Sequence, residues 1–202
     1  MYLTRIKMPL HSRKTIEYLR NSQRMHQLVT RLFDSKQASG HILYRANVSS
    51  DNVMVYTYSD FPISVLDDEV QITGEKDITD LVESFEDGMV MNFDLLTYPY
   101  KKVKQADKKN SQRRGLKTYD ERLNWLNRKA RQNGFEILNV NESSNRHVYG
   151  VHLNEKGGSM HINAYEYQGV LRITDKELFK NAMHNGIGSG KAYGLGMMLV
   201  KQ

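Results

Sequence analysis

"GIGSGKAYGLG", residues 186–196, sets five glycines in eleven positions. Backbone that bare admits positive φ and close approach by another group. Its neighbours decide what it means. Ahead of it "DKELFKNAMHNG" (175–186) reads as a capped helix ending at Gly186, and after it "GLGMMLVK" (194–201) reads as a strand. A P-loop needs Ser or Thr after its lysine, whereas Ala192 follows Lys191 and the glycine spacing differs. A dinucleotide fingerprint needs strand, glycines, helix, the reverse of this order. What remains is a structural turn, or a flat backbone surface with Lys191 beside it that suits an extended polyanion. Gly188 and Gly190 are better placed than the outer glycines to face such a partner.

Helix then strand is also how a repeated cycle closes. "YLTRIKM" (2–8) alternates as a strand, and a short helix follows over 12–20. Asn21 is an N-cap for "SQRMHQLVTRLF", whose Met25, Leu28, Val29, Leu32 and Phe33 share one face. "HILYRANV" (41–48) and "NVMVYTYS" (52–59) read as paired strands, 77–85 as a helix and 88–100 as a strand. The second cycle opens with a helix over 117–132, with Leu123, Leu126 and Ala130 on its stripe and Trp125 and Tyr119 packing nearby. Strands "FEILNV", "HVYGVHL", "MHINAYEY" and "VLRIT" follow, with turns at Gly157-Gly158 and Gln168-Gly169. Two βαββαβ units result, each a small sheet with helices on one face, divided near residues 86–92.

With 39% hydrophobic and 26% charged residues, the 202-residue chain reads as soluble and globular. There is no cysteine, which excludes disulfides and thiolate metal sites. No apolar run reaches the length of a signal peptide or a membrane span, so the expected compartment is the cytoplasm. The net charge of +6 is concentrated. Residues 101–117, "KKVKQADKKNSQRRGLK", hold eight Lys or Arg against Asp107 alone, so the other 185 residues sum to −1. A solvated loop is the plain reading of such a run. A polyanion, above all a nucleic acid, explains why one segment carries the whole excess. Lys101, Lys102, Lys104, Arg113, Arg114 and Lys117 are its candidate phosphate contacts, with Lys156 in the later turn as a probe of a stem.

The chemistry-bearing residues are few. His147, His152 and His161 fall on candidate strands at spacings that match no ligand pattern, so no metal site is expected. His26 sits in the second turn of its helix at the edge of the apolar stripe, either as a partly buried structural histidine or as a reactive one. From the residues alone the chain is a two-domain α+β protein that binds nucleic acid and carries one placed histidine.

Five segments resemble, in order, the CasE (Cse) family of CRISPR repeat-RNA endoribonucleases of type I-E Cascade systems. They are "MYLTRI", "NSQRMHQLVTRLF", "GLKTYDERLNWLNRK", "YQGVLRITD" and "GIGSGKAYGLGMMLV". The resemblance implies two tandem ferredoxin-like (RRM-like) βαββαβ domains, 1–88 carrying His26 and 89–202 carrying the basic segment and the glycine-rich loop. It implies cleavage of the hairpin in a repeat RNA, retention of the product, and assembly with other Cascade subunits. His26 matches the family's catalytic histidine. Gln23 stands where relatives often carry tyrosine; it can hydrogen-bond but cannot transfer a proton. Arg31 stands where a relative carries lysine and is a candidate for steadying phosphate charge.

The reaction needs no cofactor, because RNA supplies its own nucleophile in the 2′-hydroxyl beside the scissile phosphate. Products would be a 5′-hydroxyl and a 2′,3′-cyclic phosphate. The acid role, protonating the departing 5′-oxygen, is the expected one for His26. Two rivals stand: a non-cleaving hairpin-binding module of the same fold, favoured by Gln23, and an unrelated RNA-binding protein in which His26 is core and 101–117 a disordered arm.

Overall fold

A computed structural model describes residues 1–34, 40–104, 111–151 and 158–201. Its first half runs β1 (Tyr2–Pro9), α1 (Arg13–Arg20), α2 (Ser22–Arg31), β2 (Ile42–Val48), β3 (Asn52–Ser59), β4 (Gln71–Asp77) and α3 (Thr79–Glu83). The second runs β5 (Val90–Thr97), β6 (Tyr100–Val103), β7 (Gln112–Gly115), α4 (Tyr119–Gln132), β8 (Phe135–Val151), β9 (Ser159–Ile173), α5 (Lys176–Asn185) and β10 (Met198–Lys201). Two antiparallel four-stranded sheets form, ordered β2-β3-β1-β4 and β10-β5-β9-β8, with β6 and β7 as a separate ladder. In each sheet the unit's first strand lies between its third and fourth, the ferredoxin-like arrangement repeated in tandem.

Local sequence explains most of these elements. Asn21 caps α2 through its side chain, and Met25, Leu28, Val29, Leu32 and Phe33 are buried against Ile6, Val53 and Val55 of the first sheet. Thr118 and Glu121 form a reciprocal capping box at the start of α4. Trp125 is buried as expected, but Tyr119 is exposed and does not pack.

Three strand assignments change. β4, "QITGEKD", closes the first sheet although its residues are almost all solvent-facing, so no alternation announces it. β5 is an inner strand of the second sheet. β8 and β9 are each one long strand, and Gln168-Gly169 is no turn. Gly169 lies opposite Phe93 and Val140, and a Cβ there would stand 2.0 Å from the Asn139 carbonyl oxygen. The glycine marks a close backbone approach, while bulges at Ile137/Asn139 and Glu142/Ser144 absorb the bend in β8.

The sheets are joined by an apolar core and one buried cation. Leu43 and Tyr58 of the first sheet share a core with Phe93, Leu95 and Tyr167 of the second. Next to Leu43, the Arg45 side chain is 1% exposed. Its Nη1 donates to Asp94 at 2.7 Å, its Nη2 to Glu166, and its Nε to Asn47 at 3.0 Å. Gln168 donates to the other oxygen of Asp94 at 3.2 Å and Ser144 to Glu166 at 2.8 Å, so the carboxylates are satisfied from both sides. Removing one member of such a set leaves uncompensated charge. Arg45→Met is expected to lower unfolding stability by about 3 kcal/mol, the low end for a broken buried pair because both carboxylates keep some water. Urea unfolding followed by circular dichroism measures it; a loss below about 1 kcal/mol would mean that the apolar core alone joins the sheets.

Candidate functional site

The N-terminus of α2 is pinned to the second sheet. Asn21 Oδ1 accepts from the Gln23 amide at 3.0 Å and from the Val151 amide of β8 at 3.1 Å. Ser22 Oγ donates to the Tyr149 carbonyl at 2.8 Å. One turn further on, His26 is half-buried, its ring stacked on Tyr44 with centroids 6.3 Å apart and planes 20° from parallel. The Tyr44 hydroxyl donates to the Ala192 carbonyl at 2.9 Å. Its ring fills the place where a side chain at position 194 would go: a Cβ on Gly194 would stand 3.1 Å from it. The glycine-rich stretch thus packs against the wall of the His26 ring. Burial pushes His26 below its ordinary value and so favours the neutral imidazole.

Gln23 lies three residues before His26 on the same helical face, and among the described residues its side-chain amide has no hydrogen-bond partner. Arg31 lies elsewhere. Five residues place it about 140° round the helix from His26. It is exposed, sits 3.9 Å from Asp67, and shares a surface with Lys14, Arg24 and Gln27. Arg24 is engaged by Glu17 at 2.5 Å. The arginines close in sequence therefore do not set the charge of His26; burial does.

Between Gly186 and Gly196 the chain makes a 3₁₀ turn, Lys191–Tyr193. Gly188 is held at φ 91°, and a Cβ there would stand 2.8 Å from Thr97 Oγ1 and 3.2 Å from the Trp125 ring. At Gly190 it would stand 2.9 Å from Leu195. Packing is thus the first demand that both glycines meet. Lys191 is half-buried, its pKa lowered by burial and by Lys129. Near it the His41 and His184 rings stack at 4.9 Å, and His184 meets Asp60 at 2.7 Å. Sequence offers no sign of this cluster, since its members are far apart and follow no spacing.

The basic segment is not a loose arm where it is described. Lys101 pairs with Arg114 and Lys102 with Arg113 across the β6–β7 ladder, and all four are exposed, as are Lys104 and Lys117. Like charges directly opposite destabilise a ladder. What holds this one is its base: Tyr98 stacks on Tyr100 at 5.5 Å, Gly115 packs on Tyr98, and the buried Leu116 donates its amide to Pro99 at 3.0 Å. Arg113 lies 5.5 Å over the Tyr100 ring, and Lys101 reaches Glu121 at 3.3 Å. Tyr98 packs on the same small cluster of Leu96, Val148, Ile162, Ala164 and Leu195 as Tyr193, which links the ladder to the glycine stretch.

His152 and Lys156 lie outside the described residues, as does the stretch 105–110. His147 and His161, 14 apart in sequence, meet at 3.2 Å across β8 and β9, with Asn163 3.0 Å from the other His147 nitrogen. Among the described residues no group of three or more His, Asp or Glu side chains could hold a metal ion.

A family profile described as "CRISPR associated protein" matches residues 1–202. The chain is 26% identical over 216 residues to the CRISPR-associated endoribonuclease Cse3 of Thermus thermophilus, covering 99% of each. It matches a structure of CRISPR endoribonuclease Cse3 bound to a 19-nucleotide RNA with TM-score 0.86 and 23% identity, covering 100% of both chains. It also matches a chain in a structure of a CRISPR RNA-guided surveillance complex, pre-nicking, with TM-score 0.78, 22% identity and 99% of both chains covered.

The burial of His26 is measurable. Its NMR titration midpoint in the free protein is expected below the ordinary 6.5, and Tyr44→Leu, by admitting water to the ring, should move it upward. Because the unfolded chain then binds the extra proton, the His26 contribution to stability is full above about pH 6.5 and is lost as pH falls through the folded value. A midpoint at or above 6.5 would refute the desolvated site.

Proposed function

From its membership of the CRISPR-associated protein family, to which the chain belongs along all 202 residues, we propose that it is an endoribonuclease that binds the hairpin of a CRISPR repeat RNA and cuts the precursor. The observation that carries this reading is one half-buried imidazole on the seam of a protein whose most basic segment is built around a ladder of paired cations. The named activity of the Cse3 relative and the RNA bound in the matching structure support it. Product retention and assembly with other subunits follow the surveillance complex that holds a similar chain. No described helix is long and apolar enough to cross a membrane, and a cytoplasmic place of action is part of the proposal.

The ladder and its flanks carry the RNA backbone, phosphates relieving the repulsion between Lys101 and Arg114 and between Lys102 and Arg113. At the reacting bond the 2′-oxygen attacks phosphorus in line with the leaving 5′-oxygen, so the two oxygens stand on opposite sides and one ring serves only one of them. The charge state of His26 selects which. The desolvation that lowers the His26 pKa in the free protein supports the base role on the 2′-hydroxyl, and the acid role expected from sequence is the alternative that the pH profile tests. Gln23, beside it on the helix, donates an amide hydrogen bond to a phosphate oxygen. Arg31, on another face, is left to the flanking backbone. The departing 5′-oxygen takes its proton from solvent water, so the products are a 5′-hydroxyl and a 2′,3′-cyclic phosphate. The free amide of Gln23 favours a second reading, a module that holds the hairpin without cutting it.

Single-turnover cleavage of the repeat encoded beside the gene decides among these. His26→Ala should bind at near-native affinity and cleave at least about a hundredfold more slowly. For a base, the wild-type rate should rise with pH through the His26 midpoint and then level; a fall would restore the acid. A 2′-deoxy sugar upstream of the scissile bond should abolish cutting, and no cutting of the native repeat would leave the binding module. Binding has its own test. With about five phosphate contacts, log affinity should fall against log salt with a slope of about −3.5 to −4.5. Changing Lys101, Lys102, Arg113 and Arg114 together to Ala should flatten that slope; an unchanged slope would remove the ladder from the interface.

A further inference from the structure

Where α2 meets the edge strand β8, a cavity of about 310 Å³ opens between the two halves. Tyr18, Tyr44, Tyr149 and Tyr193 line it together with Arg146 and His147. Ser22 and Met25, the latter next to His26 in the chain, form its α2 side. Its size is at the small end of ligand sites, too small for a base pair but enough for one nucleotide.

Arg146 gives the cavity its polarity. Its guanidinium is half-buried and donates to the Ala46 carbonyl. Among the described residues no carboxylate lies within ion-pair distance of it. Burial and the nearby Arg45 both act against its charge, offset only in part by Glu166 and Asp94. A guanidinium cannot shed its proton, so a half-desolvated one is stabilised by an anion or an electron-rich base edge. Tyr149, 37% exposed, and the half-buried Tyr18 and Tyr193 offer flat apolar surface, while Tyr44, 2% exposed, forms only the wall behind them. Aromatic rings with an arginine are the combination that receives a base taken out of its stack.

We propose that this cavity seats one unstacked nucleotide of the bound RNA, next to the scissile phosphate, with its base against the tyrosines and its phosphate or base oxygen on Arg146. The inference rests on the RNA-cleaving reading above and adds a site to it. Tyr44 is shared between the cavity wall and the His26 ring, so the seated nucleotide adjoins the reacting one. The seat has a chemical purpose. In a stacked A-form strand the 2′-oxygen is not in line with the 5′-oxygen, and drawing one base aside turns the backbone toward that alignment.

An abasic scan through the nucleotides around the cleavage position tests it, read as affinity and single-turnover rate. One position should lose about 5- to 150-fold in affinity when its base is removed, the range for one stacked base. Tyr149→Ala should cause a comparable loss with intact RNA and no further loss with RNA abasic at that position. Arg146→Gln, which keeps a donor for Ala46, should weaken the same position; thermal unfolding confirms that each variant folds. Free nucleoside monophosphate at micromolar concentration should not displace the RNA. Losses that multiply between Tyr149→Ala and the abasic RNA, or a scan with no sensitive position, would overturn the seat while leaving hairpin binding intact. Displacement by free nucleotide would overturn it in favour of a mononucleotide site. Failure of the protein to bind the repeat at all would remove the RNA reading, and this inference with it.

Discussion

The buried guanidinium of Arg45 is the contact on which the relation between the two sheets depends. It leaves β2, an edge strand of the first sheet, and ends on carboxylates from two strands of the second, β5 and β9. Apolar contact holds surfaces together but tolerates sliding. A forked cation between Asp94 and Glu166 does not, because a small shift strands charge out of water. With Arg45 seated, β2 cannot slip along its neighbours, and Tyr44 one residue away is held where the other sheet's loop can reach it.

From that alignment the reaction site follows. His26 belongs to the first unit, the Ala192 carbonyl to the second, and Tyr44 touches both. The N-terminus of α2 is fixed independently through Asn21 and Ser22 to β8. The Tyr44 wall of the imidazole belongs to its own unit and is braced from the other through the Ala192 carbonyl.

Periodicity showed the core helices clearly, because Met25 to Phe33 and Leu126 with Ala130 fall on buried stripes that propensity and capping both support. It missed β4, whose residues face water, and β7, whose residues are all exposed and whose two arginines lie opposite lysines. Gly169 misled it: glycine in a strand reads as a break unless the neighbouring backbone is known to press on it. At the site, His26 and Gln23 were legible from helical spacing and from the resemblance. Tyr44, Arg146 and the His41–His184–Asp60 cluster were not, because strand pairing and sheet docking bring them together, and neither leaves a local pattern.

The glycine-rich stretch bears on dynamics as well as shape. All of its five glycines sit at positive φ, and no other residue type in the described structure does. Each surrenders more backbone freedom on ordering than alanine would, by about 0.5–1 kcal/mol. The segment that carries Ala192 and Tyr193 to α2 is therefore costly to order, and its bonds to the sheet behind it, the Gly196 amide to the Leu96 carbonyl at 2.8 Å and the Thr97 hydroxyl to the Ile187 carbonyl at 3.2 Å, offset part of that cost. Hydrogen exchange there should report a local equilibrium of lower free energy than global unfolding. Low protection there would make the wall around the catalytic candidate a population, and the hydration of the His26 ring would follow the same equilibrium.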